Sequence, residues 1–202
     1  MKKISAIVIM LLLASTLQLS AQSRQYLFSS MLSATCYVNS KLKQTVYTLS
    51  GQTVNTQTKT VAIPANTSTL ILEQPLAELL KGRQREDVVV SMELTASSGV
   101  SYQANCFLCL QEDLRLMPVK PEVSVEAAEG GCLITLKADK FVRALALSID
   151  GAEDCWFDNN YFDLLPGVPT KCFVRTSISP SEVKQRLTYR SLNSPCALPT
   201  NY

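Results

Sequence analysis

Strict two-residue alternation over a stretch of some twenty residues leaves this chain few choices of fold. Within residues 87–96 every even position is apolar: Val88, Val90, Met92, Leu94 and Ala96. The same holds within 101–110, where Tyr102, Ala104, Cys106, Leu108 and Leu110 occupy the even positions. Successive side chains of a strand point to opposite faces, so such a pattern buries one face of a sheet and would scatter around a helix. Ser97-Ser98-Gly99 between the two arms supplies turn formers, and the pair reads as a β-hairpin. By this parity Cys106 faces the core and Cys109 the opposite side.

The pattern recurs along the chain. Tyr37-Val38 and Val46–Leu49 are β-rich runs, and Ser50-Gly51 marks a turn. A threonine-rich run, 53–63, ends at Pro64-Ala65-Asn66, and Leu70 and Leu72 are expected to alternate with polar or solvent-facing neighbours. Leu76 to Lys81 reads as one helical turn closed by Gly82. Residues 111–121, with Pro118 and Pro121, form a stiff connection packed by Leu114, Leu116 and Met117. Beyond it Val123, Val125 and Ala127 share a face. Cys132, Ile134, Leu136 and Ala138 share another, and Phe141, Leu145, Leu147 and Ile149 a third. Ser179-Pro180-Ser181-Glu182 opens a helix, Leu187, Tyr189 and Ser191 face one way in a last strand, and the tail from Asn193 is expected to be loose. Short strands with turns between them and little helix predict an all-β chain. Two units of about ninety residues fit two tandem immunoglobulin-like β-sandwiches, at 22–118 and 119–196, with 197–202 as a tail.

Residues 1–21 are read apart from the fold. Lys2 and Lys3 precede an apolar run from Ile7 to Leu13, and Leu19-Ser20-Ala21 offers small residues at a cleavage site. This is the form of a secretory signal peptide, cut between Ala21 and Gln22. The apolar run is shorter than the roughly 20 residues a membrane-spanning helix needs. The expectation is an exported protein, periplasmic or extracellular, with no membrane span once the signal is removed. Without Lys2 and Lys3 the basic and acidic residues are equal in number, so there is no basic footprint for nucleic acid.

Histidine is absent, which removes the commonest general base and zinc ligand and every Ser-His or Cys-His nucleophile pair. Seven cysteines remain, Cys36, Cys106, Cys109, Cys132, Cys155, Cys172 and Cys196; an odd number leaves at least one thiol free or intermolecular. Cys106-Phe107-Leu108-Cys109 has the spacing of metal and redox motifs, but its two thiols would point to opposite sides of a strand. Asp150, Glu153, Asp154, Asp158 and Asp163 form an acidic cluster; paired carboxylates serve calcium binding or glycosidase chemistry, and turn carboxylates are the commoner reading. Trp156 and Tyr161 are read as buried anchors, with a sugar-stacking platform as the alternative. No cofactor or metal is expected.

The densest segment is Trp156 to Pro169, which sets Tyr161, Phe162, Leu164 and Leu165 between turn formers Asp158-Asn159-Asn160 and Pro166-Gly167. Tyr161, Phe162 and Leu165 are expected in the core, with Asp158, Asn160 and Gly167 holding the flanking turns. The run Asp158-Asn159-Asn160-Tyr161-Phe162-Asp163-Leu164-Leu165-Pro166-Gly167 resembles a signature near the C-terminus of β-mannosidases of glycoside hydrolase family two. The resemblance extends over about 36–192, through Val61–Asn66, Leu76–Leu80, Arg85-Glu86-Asp87, Lys120–Val123, Leu133–Leu136 and Arg186–Leu192. Asn159 stands where the family usually has Asp, and Val168 where it usually has Glu.

The resemblance implies the enzyme's C-terminal accessory sandwiches. Its two catalytic glutamates lie on a (β/α)₈ barrel, which needs roughly 200 residues of its own. The Asn-Glu pair that carries the acid occurs nowhere here, so no catalytic residue is carried over. Three readings follow: a non-catalytic accessory module partnered by a catalytic glycosidase chain or a mannose-containing glycan, a stand-alone carbohydrate-binding or adhesive module, and a fragment of an active β-mannosidase whose barrel is on another chain.

Overall fold

A computed structural model of the chain describes residues 9–11, 26–33, 37–64, 67–152 and 154–194. They are almost wholly strand and turn, as the alternation predicts, and fall into two compact units. The first extends to Leu114 and the second begins at Arg115, with Leu49–Gln52 grouped with the second.

In the first unit β1 (Ile9–Leu11), β2 (Tyr26–Ser33) and β5 (Thr67–Pro75) form one antiparallel sheet in the order β1-β2-β5. The other sheet contains β3 (Tyr37–Thr48), β4 (Thr53–Ile63), β6 (Val88–Thr95) and β7 (Ser101–Cys106) in the order β4-β3-β6-β7. The two runs read at 37–38 and 46–49 thus belong to one long strand, and β2 lies in a segment without clear alternation. Helix α1 (Leu76–Leu80) buries Leu79 and Leu80 and ends on a left-handed Lys81. Within the segment read as a signal peptide, Ile9–Leu11 pair with β2, in register Ile9↔Leu32. An open sheet edge offers unpaired backbone groups to any extended apolar segment still attached. Ala21 and Gln22 lie outside the described residues.

The predicted hairpin is β6–β7, in register from Val90↔Cys106 to Thr95↔Ser101. Two details differ from the alternation. Val89 and Ser91 are buried along with the even positions, because β6 lies between two neighbours and these residues stand opposite Tyr47 and Thr45. And β7 ends at Cys106, so Cys109 sits in the following loop and Leu110 is exposed; the opposite-face geometry expected of the two thiols does not apply.

The core of this unit is divided. Leu42, Val61, Ile63, Ile71 and Leu94 form one buried cluster. Val46, Leu79, Leu80, Val88, Val90, Met92 and Cys106 form another. Between Leu42 and Val46 on the same face of β3 sits Gln44, 2% exposed. Its carbonyl accepts from the Gln57 amide of β4, which also donates to Gln74 of β5 at 2.9 Å.

The second unit has one sheet of β8 (Glu122–Ala128), β9 (Gly131–Lys137), β11 (Trp156–Phe157) and β13 (Thr170–Arg175), ordered β11-β13-β9-β8. The other has β10 (Val142–Ile149), β12 (Phe162–Leu164) and β14 (Leu187–Arg190), ordered β12-β10-β14. Helix α2 (Pro180–Arg186) begins as read, with Ser179 and Glu182 closing a reciprocal capping box. The core collects Cys132, Ile134, Leu136, Ala138, Val142, Leu145, Leu147, Ile149, Leu164, Cys172, Val174 and Val183. Phe141 is fully buried but outside this cluster, and Val142 takes the place the alternation assigned to it. The cause is a bulge: three steps on β10, from Val142 to Leu145, face two on β12, from Leu164 to Phe162. One extra residue reverses parity, so an even position and the odd ones after it share a face.

Candidate functional site: the sheet-crossing corner

The signature stretch carries the chain of the second unit from one sheet to the other. It leaves from β11, paired to β13 through Trp156↔Arg175 and Phe157↔Val174. Asp158 prolongs that ladder by one place. Its N–H donates to the Phe173 carbonyl at 2.9 Å, and its carboxylate accepts from the Phe173 N–H at 2.8 Å. It arrives in β12, paired to β10 through Leu145↔Phe162 and Val142↔Leu164. Between the two, Asn160 stands in for a strand residue. Its side-chain carbonyl accepts from the Leu147 N–H at 2.8 Å and its amide donates to the Leu147 carbonyl at 3.0 Å. The same oxygen accepts from the Tyr161 N–H at 2.9 Å. A side-chain amide offers a donor and an acceptor side by side, which is what a backbone position in a ladder must meet.

Asp163 holds the bulge of β10. One of its oxygens accepts from the Ala144 N–H at 2.9 Å and from the Arg143 guanidinium at 2.8 Å. Ala144 has φ of 50°, a conformation uncommon outside glycine, so the carboxylate secures backbone that would otherwise relax. Asn193 completes the corner from the far end of the chain. It accepts from the Arg143 N–H at 2.8 Å and donates to the carbonyls of Met117 at 2.9 Å and Phe141 at 2.8 Å. It is 4% exposed, so the loose tail expected from Asn193 does not begin there, and residues 195–202 lie outside the described residues; a polar residue can lie in a core when all its hydrogen bonds are met. No periodicity marks such a residue.

The corner closes on a turn. The Val168 N–H donates to the Leu165 carbonyl at 3.1 Å, with Pro166 second and Gly167 third at φ of 72°. That is the arrangement of a type II turn, whose third position favours glycine. Leu165 and Pro166 are buried, and Phe162 is half-buried against the core cluster.

Two aromatics of the stretch do not lie where they were expected. Tyr161 is 73% exposed, because the crossing gives it φ of 60° and its amide is drawn inward to Asn160 while its ring stays outside. Trp156 is 57% exposed; its neighbour Phe157 takes the inward position on β11, and the Trp156 ring packs against the Arg175 guanidinium at 5.6 Å. The carboxylates are dispersed. Asp150 accepts from the Thr188 hydroxyl, Asp158 lies at the start of the crossing and Asp163 at the bulge; Glu153 is outside the described residues. Among the described residues no three His, Cys, Asp or Glu side chains come together as a metal site.

Cys172 belongs to the corner as well. Its thiol donates to the Asn159 carbonyl at 3.0 Å and lies 3.4 Å from the Asp158 carboxylate. Burial pushes this thiol up to about 12, and burial pushes Cys106 up to about 11. Both are therefore protonated and shielded at neutral pH, and a maleimide is expected to label neither until the chain unfolds. Because each native value lies above the value of an unfolded cysteine, their contribution to stability is complete below pH 9 and declines as pH rises towards 12. A pH-dependent melt of wild type against Cys172→Ala checks it: if Cys172 contributes, the variant loses less stability across that window.

Comparison with known proteins supports the geometry. Residues 26–109 match the family model described as a Mannosidase Ig/CBM-like domain. Residues 118–195 match the mannosidase-type model described as an Ig-fold domain. Curated protein sequences yield no match. Among solved structures, a β-D-mannosidase from Dictyoglomus thermophilum superposes with a TM-score of 0.71 at 16% identity, over 93% of this chain and 22% of that one. An exo-chitosanase from Amycolatopsis orientalis superposes with a TM-score of 0.57 at 14% identity, over 92% of this chain and 26% of that one. The chain thus spans about a quarter or less of these enzymes. Over both units it belongs to the immunoglobulin-like accessory domains of mannosidase-type proteins.

Proposed function

We propose that the chain is exported and serves β-mannoside hydrolysis as a non-catalytic accessory module of a catalytic glycosidase chain. The observation that carries this reading is the order of its units, a Mannosidase Ig/CBM-like domain followed by a mannosidase-type Ig-fold domain. Among the described residues there is no alternation of strand and helix of the kind a catalytic barrel needs, and no helix is long and apolar enough to cross a membrane. The leader-like residues 1–21 support export, with Gln22 as the first residue of the mature chain.

The test is co-purification of the tagged chain from its native host, with assay of an aryl β-mannoside. A glycosidase chain should be retained, and turnover should depend on that chain. Turnover by the isolated protein that a single Asp or Glu substitution abolishes would refute the reading, and an exported form beginning at Met1 would refute the leader. The exposure of Trp156 and Tyr161 favours a second reading, a stand-alone carbohydrate-binding module. It requires Trp156→Ala or Tyr161→Ala to abolish mannan binding while leaving the melt unchanged.

A further inference from the structure

We propose that in the mature chain the free edge of β2 receives an extended strand from the catalytic glycosidase chain, in the place that Ile9–Leu11 hold before the leader is cut; this rests on the accessory and export readings. Residues 9–11 lie inside the leader-like segment 1–21, yet they form β1 and pair antiparallel with β2 through Ile9↔Leu32, Met10↔Met31 and Leu11↔Ser30. On its other side β2 is paired to β5 along its length, from Tyr26↔Pro75 to Ser33↔Thr67. Cleavage between Ala21 and Gln22 therefore takes one strand from a sheet of three and makes β2 an edge eight residues long.

Such an edge asks for a partner. Ser30, Met31 and Leu32 lose the backbone ladder that β1 gave them, and an open edge is a template for another strand. The sheet left behind has only β2 and β5, against four strands in β4-β3-β6-β7. Two strands alone make a marginal sheet in water. Yet this sheet carries part of the core, because Ile71 of β5 packs with Leu42, Val61, Ile63 and Leu94 of the other sheet. The new N-terminus cannot refill the edge. Only Gln22, Ser23, Arg24 and Gln25 precede β2, and a hairpin turn uses at least about two residues, which leaves too few to replace Ile9–Leu11. The occupant is defined by what it replaces: an extended, uncharged, apolar segment antiparallel to β2. Main-chain hydrogen bonds then supply the affinity, as in strand addition generally. A second mature copy has lost the same segment and has none to donate. In the superposed enzymes the matching units are part of one longer chain. A module on a separate chain needs a contact in place of that covalent link, and a strand seated on β2 is such a contact.

The experiment compares the chain from Gln22 with the chain that keeps residues 1–21, each mixed with the glycosidase chain isolated from the native host. The form from Gln22 should bind about tenfold more tightly or better, because in the longer form β1 already fills the edge. A synthetic peptide copying Ile7–Leu13 between lysines should displace the glycosidase chain from the form from Gln22. Hydrogen exchange at alternate amides of Tyr26–Ser33 should be fast in that form alone and slow with the peptide or the glycosidase chain bound. Two N-methylated peptides keep the test independent of the longer form. Methylation at Met10 and methylation at Ile9 and Leu11 block opposite edges of the same strand. One of the two should bind like the parent and the other about tenfold more weakly, the scale of one lost hydrogen bond. Equal binding of the two methylated peptides overturns the proposal. So does a form from Gln22 whose β2 amides are already protected, whether as a monomer or by pairing with a second copy. Equal retention of the glycosidase chain by both forms overturns the strand contact and leaves the accessory reading; retention by neither form overturns both.

Discussion

Asn193→Ala is expected to destabilise the second unit by about 3–5 kcal/mol, since it removes hydrogen bonds from three backbone groups, one buried and two part-buried, at about 1–3 kcal/mol each, with some recovery through water. The groups are the Arg143 N–H and the carbonyls of Met117 and Phe141. Phe141 has no exposed surface, so little water can replace the lost amide there. A domain of this size has about 5–15 kcal/mol in all, so the loss should leave it marginal. Urea unfolding followed by tryptophan fluorescence is the measurement, because Trp156 is the one tryptophan and belongs to this unit. Asn193→Asp separates bonding from packing. It keeps the shape but turns a carboxylate towards two carbonyl oxygens, and should be at least as damaging as alanine. An aspartate variant that unfolds with wild type would show that Asn193 acts by filling space.

Asn160→Ala should cost about 2–4 kcal/mol for the same reason on a smaller scale, leaving the Leu147 N–H and C=O inside the sandwich without partners. Leu147 is 5% exposed. Hydrogen exchange at Leu147 should accelerate towards the rate of a strand end. Tyr161→Ala, one residue on, should change stability little, because the ring is largely in water. If the pair behaves the other way round, Tyr161 is the anchor and the crossing is held by its ring. Phe162→Ala should fall between them, since Phe162 is half-buried against the core.

These variants differ from those an alternation argument would choose, and the difference is physical. Period two reports which face of a strand is apolar, and it located the β6–β7 hairpin, β9 and the inward row of Cys132, Ile134, Leu136 and Ala138. Capping is as local as parity, and the Ser179–Glu182 box follows from four consecutive residues. The Pro166-Gly167 turn is local too. The all-β class and the two-unit plan rest on such short-range rules, and the signature stretch stood out by its composition.

Tertiary structure decided where the local rule stops. The bulge at Arg143–Ala144 is held by Asp163, some twenty residues away, and Asn193, some fifty residues away, and it puts Val142 rather than Phe141 on the face of Leu145, Leu147 and Ile149. Trp156 and Tyr161 are large aromatics like Phe157 and Phe162; the facing of β11 leaves Trp156 in solvent, and the direction of the crossing between sheets leaves Tyr161 there. Gln44 reads as a polar interruption in β3, yet it is buried because β4 and β5 bring Gln57 and Gln74 to it. Strand, turn and cap were written in neighbouring residues, whose geometry the backbone sets by itself. The corner and the seam of Gln44, Gln57 and Gln74 depend on hydrogen bonds between residues distant in the chain, which no short window of sequence contains.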